Sequence, residues 1–99
     1  MSGEVSLADV YAPAERIVGR RIADEYVLVP IVGRGAEIDG IFNLNGVGAF
    51  IWERLDGRRD GAAIVAELCA RYAVAAPAAE RDYRAFIEQL LSIDAVRRA

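Results

Sequence analysis

At 99 residues, 55% of them apolar, the chain is long enough to form one domain with its own core and needs no metal or disulfide staple. Its twelve basic residues are all arginine and stand against fifteen acids, for a net charge of -3. That balance lacks the basic footprint from which DNA-binding domains draw most of their affinity, so nucleic acid is not expected as a partner.

The sequence contains one cysteine and neither histidine nor lysine. This excludes an internal disulfide, a cysteine-based zinc site within one chain, imidazole acid–base catalysis and Schiff-base chemistry. Cys69, inside the helical pattern ELCARY, reads as a buried thiol with no base to activate it. The expectation is a non-enzyme without cofactor or metal. The start, MSGEVSLADVY, has neither the basic flank nor the apolar run of a signal peptide, and no stretch is apolar enough to span a bilayer. The expected location is therefore the cytoplasm, with no membrane partner.

In chain order, residues 1–15 show no sustained period and contain Pro13, so they read as a loosely ordered lead-in to a domain over 16–99. IVGRRI at Ile17–Ile22 and EYVLVPIV at Glu25–Val32 read as strands on their β-branched content, with Pro30 at an edge or bulge. Gly33–Glu37 reads as a hairpin connection and Ile38–Leu44 as the next strand. On that strand Gly40 marks either a bulge or a place where another backbone comes close.

The period then changes to 3.6. Asn45 caps a first helix with Val47, Phe50, Ile51 and Leu55 on its stripe, and Gly57 ends it. Asp60 caps a second, with Ile64, Val65, Leu68, Cys69 and Tyr72 on one face, up to an Ala-Pro linker at Pro77. A third runs from about Ala79 to Ile93, striped by Tyr83, Phe86, Ile87, Leu90, Leu91 and Ile93. Three short antiparallel strands followed by three helices make an α+β, winged helix-turn-helix-like fold.

The segment Phe42–Tyr72 carries an aromatic, then Leu44-Asn45, a helix with Ile51-Trp52, then Leu55-Asp56-Gly57 and IVAELCARY. DYRAFIEQLLSIDAV follows after a connector. In this order the motifs resemble the PqqD family, over roughly Ile22 to Val96. Two departures are the long GRGAEIDG turn and Asp94-Ala95, where members often carry a glycine.

The resemblance implies a recognition element for ribosomally made, modified peptides. Such an element is a non-catalytic chaperone that binds the leader of a precursor peptide and presents it to a modifying enzyme, often a radical S-adenosylmethionine enzyme. The first such pathway known makes pyrroloquinoline quinone. It also implies that the leader adds as a strand beside the third strand, in a groove against the third helix.

Carried onto this chain, the strand side of the site is Ile38, Asp39, Gly40, Ile41, Phe42, Asn43 and Leu44. Strand addition needs such an edge, with main-chain groups for affinity and pockets for selectivity. On the helix side, Tyr83, Ile87, Leu91 and Arg84 follow one another along one side of the stripe, with Glu88 just beyond. Without the resemblance these residues read as ordinary core and a solvated face. A helix-turn-helix DNA regulator is the alternative, but the third helix offers Arg81 and Arg84 against Glu80, Asp82, Glu88 and Asp94. A homodimer is compatible with either binding role. Trp52 and the Arg58-Arg59 turn are read as structural.

Overall fold

The computed structural model describes residues 5–30 and 42–99. Three antiparallel strands form one sheet in the order β2-β3-β4: β2 is Ile17–Ile22, β3 Glu25–Pro30 and β4 Phe42–Leu44. β2 and β3 are joined by a two-residue loop, since Ile22 pairs with Glu25. Ala23 takes the positive φ of 56° with which such short loops match the twist of their strands. Tyr26 stands opposite Leu44 and Leu28 opposite Phe42, which puts Tyr26, Leu28 and Leu44 on the same face, turned to the core.

The helices are α1 (Gly46–Glu53), α2 (Gly61–Tyr72) and α3 (Ala76–Ser92). Both expected caps are present. Asn45 Oδ1 accepts from Gly48 N at 2.8 Å and Asp60 Oδ1 from Ala63 N at 2.9 Å, each satisfying a donor that a helix start leaves open. α1 stops short of Gly57, which nonetheless holds a φ of 80°. α3 begins earlier than its apolar stripe, because Pro77 sits within its first turn, where a missing N–H costs nothing. Pro77 is thus part of the helix and not of a linker.

The departure at Asp94 has a backbone reason. Asp94 takes a φ of 58°, the left-handed conformation that glycine adopts freely and aspartate tolerates. Ala95 N then donates to Leu90 O at 2.8 Å, closing the end of α3 and aiming the chain into a last strand.

That last strand, β5 (Val96–Arg98), pairs antiparallel with β1 (Tyr11–Pro13). Residues 5–15 are therefore not a loosely ordered lead-in. Val5 and Tyr11 are buried, and the segment forms a strap whose carbonyls accept from Ala62 N (Leu7 O, 3.0 Å), Gly61 N (Asp9 O, 3.3 Å) and Gly57 N (Tyr11 O, 3.1 Å). Arg98 pairs with Asp9 at 3.1 Å. Three-residue strands leave no room for a visible alternation, and half of this pairing comes from the far end of the chain.

One core joins all of this: Tyr11, Leu28, Ile51, Leu55, Ile64, Leu68, Tyr83, Ile87 and Leu90 are almost wholly removed from water. Trp52 belongs to the same core and lies against Gly19 of β2, where an added Cβ would come within 2.6 Å of the indole Nε1.

Candidate peptide-binding groove

β4 ends the sheet, so one side of its backbone has no strand partner among the described residues. Beside it lies α3. Phe86 and Gln89 of α3 face this edge, across a groove that Asn43, Leu44, Asn45 and Gly48 also line. The groove continues along α3 between Asn45, Val47, Gly48 and Ile51 on one side and Asp82, Ala85, Phe86 and Gln89 on the other. Asn43 is exposed and Leu44 nearly buried, as neighbours on opposite faces of a strand must be. Phe86 is half-buried and packs on Gly48, where a Cβ would stand 3.2 Å from its Cε1. Glycine at 48 thus lets α1 and α3 approach while one face of the phenyl ring lines the groove.

The helix residues singled out from sequence lie elsewhere. Tyr83 and Ile87 are 0% exposed and face the core, which corrects the expectation that they wall a groove. Arg84 donates to the carbonyl of Val5, so it holds the strap. Glu88 and Leu91 are on the same flank as Arg84 and exposed, across the buried stripe from Phe86 and Gln89. Of the strand residues, Ile38, Asp39, Gly40 and Ile41 lie outside the described residues, as does the hairpin at Gly33–Glu37. Phe42, Asn43 and Leu44 are in β4 as expected.

Phe86 was visible as part of the stripe, but so was Leu91, at its other margin. Periodicity places a large apolar residue on each flank and does not say which flank a strand will run past. The polar members, Asp82 and Gln89, carried no signal of their own.

Charged groups elsewhere serve the fold. Arg54 stacks on Phe50 and bonds Glu67 Oε1 at 2.8 Å. Asp56 accepts from Arg58 N and Arg59 N at 2.9 and 3.1 Å, and these two bonds hold its carboxyl below the usual range. That is the polar turn read from DGRRD. The Tyr83 hydroxyl has no hydrogen-bond partner among the described residues; burial first, then the nearby Tyr11, Asp60 and Asp9, push it up to about 12.

A family model described as coenzyme PQQ synthesis protein D (PqqD) matches residues 25–96. The chain belongs to the PqqD family. That stretch contains β3, β4, all three helices and hence every described wall of the groove. Among solved structures the chain is similar to the one described as TbiB1 in complex with the TbiA(beta) leader peptide, with 31% identity and a TM-score of 0.72, covering 87% of this chain and 94% of that one. No curated protein matches it. The three-stranded sheet and three helices are the α+β arrangement expected from the sequence.

Proposed function

We propose that this PqqD-family chain is a non-catalytic chaperone that binds the leader of a ribosomally made precursor peptide and presents it to a modifying enzyme. The observation that carries the reading is the unpartnered edge of β4 set against a groove walled by Phe86 and Gln89 of α3, in a chain similar to a protein solved with a leader peptide. The leader's main chain extends the sheet, and its alternate side chains enter the groove. Because a disordered leader loses entropy on capture, binding is moderate and reversible, as handover requires. Tethering the core peptide near an active site raises its effective concentration without chemistry by this chain. A radical S-adenosylmethionine enzyme is the partner we favour, with the encounter in the cytoplasm.

The same features count against a DNA regulator. Arg84, one of the basic side chains on α3, is committed to the strap, and Asp82 faces the groove.

Fluorescence anisotropy with the labelled leader of a precursor encoded beside the gene tests the proposal. Saturable binding that Phe86→Ala weakens about tenfold, on the order of 1.4 kcal/mol, supports it. No binding to such a leader, alongside salt-sensitive retention of DNA, overturns it.

A further inference from the structure

The groove has two compartments that share Asn45, Gly48, Phe86 and Gln89. The first, about 230 Å³, opens on Asn43 and Leu44 of β4. The second, about 290 Å³, continues along α3 past Val47 and Ala85 and ends at Asp82. Its walls along the way are Val47, Ile51, Ala85 and the ring of Phe86, with the amides of Asn45 and Gln89 among them. At the end stands Asp82, the one charged side chain among the described residues that line either compartment. Asp82, like Glu80 and Glu88 of the same helix, makes no ion pair among the described residues, and of these three it alone lines the groove.

Resting on the peptide-binding reading, we propose that the second compartment selects a basic side chain of the bound peptide, with Asp82 as its counter-charge. An ionised carboxylate only accepts hydrogen bonds, so the head that meets it must donate. The stretch leading to it offers apolar surface from Val47, Ile51, Ala85 and Phe86 beside the two amides, so a stem that reaches Asp82 must be long and able to lie on that apolar surface. Lysine and arginine have that construction: a methylene stem that buries along apolar surface and a cationic head that stays near water. The peptide residue concerned lies just beyond the part that pairs with Leu44, where the first compartment passes into the second.

Asp82 is exposed, so its pair is screened and its loss costs about two- to fivefold in affinity. The experiment has two arms. In the first, the neighbouring leader is titrated against the wild-type chain, Asp82→Asn and Asp82→Lys, and then repeated with each basic leader residue changed to norleucine. The expected result is that Asp82→Asn weakens the natural leader, Asp82→Lys weakens it further, and one norleucine substitution removes the difference between wild type and Asp82→Asn. A leader that binds all three proteins equally, or binds without a basic residue, overturns the assignment while leaving the chaperone reading intact.

In the second arm, N-acetyl-lysine methylamide, its tyrosine analogue and its norleucine analogue are added at millimolar concentration and amide shifts are followed. Shifts at Asp82, Ala85 and Phe86 with the lysine compound in preference to the other two support the compartment's basic preference even if no leader binds. Equal shifts, shifts with tyrosine in preference, or none overturn it.

Discussion

The two flanks of α3 are put to different uses. On one, Arg84 reaches the carbonyl of Val5, and the strap beyond it is sealed by β1–β5 pairing and by bonds to the start of α2. On the other, Phe86 and Gln89 look onto a strand edge that nothing described covers, and Asp82 lines the continuation of that groove. Between them Tyr83, Ile87 and Leu90 are fully buried. Among the described residues one helix thus closes the fold on one side and leaves it open on the other, and the open side is where a further strand can be accommodated without unfolding a described element. The comparison teaches that changes on the closed side should cost stability, and changes on the open side affinity.

The largest expected effect is at the closed side. Tyr11→Ala empties a buried site where the strap, paired with β5, meets the core, and should cost about 3–5 kcal/mol in urea unfolding. Gly61→Ala is next: its Cβ would stand 2.8 Å from Tyr83 Cε2 and 3.0 Å from the Leu7 Cα, an overpacking worth about 1–3 kcal/mol by the same assay. Asp82→Asn on the open side should move stability by no more than about 0.5 kcal/mol; a larger loss would mean that the two flanks are not separable.

Tyr83→Phe removes a buried hydroxyl without a partner among the described residues, so it should be neutral or stabilising by about 1 kcal/mol. It should also change the alkaline limb of stability. Tyr83 is neutral in both states below pH 10; above it the unfolded chain ionises first, and stability falls as the pH climbs toward 12. In Tyr83→Phe that part of the fall disappears, as urea midpoints between pH 9 and about 12 will show.

Much of this fold was legible because its signals are local. The caps at Asn45 and Asp60 and the stripes of Ile64, Leu68, Ile87 and Leu90 need only neighbouring residues to be read. The strap was not legible, because Tyr11–Pro13 gains its partner at Val96–Arg98, and nothing in a three-residue strand announces a strand some eighty-five residues away. The site was half legible for a related reason. The strand side follows from the PqqD-like motif around Phe42 and Leu44. Which flank of α3 meets that strand depends on how α1 and α3 pack, where Gly48 lies close against Phe86. Arg84, Glu88 and Leu91 satisfied the periodicity equally well and lie on the other side.

The most direct test of the open-flank account is an amide-shift titration of the isotopically labelled chain with a neighbouring leader peptide. Shifts concentrated at Asn43–Asn45 and at Asp82, Ala85, Phe86 and Gln89, with the strap and β5 unmoved, are what the account requires. Shifts concentrated instead at Arg84, Glu88 and Leu91 and along residues 5–13 would contradict it and return the binding face to the flank that the strap now closes.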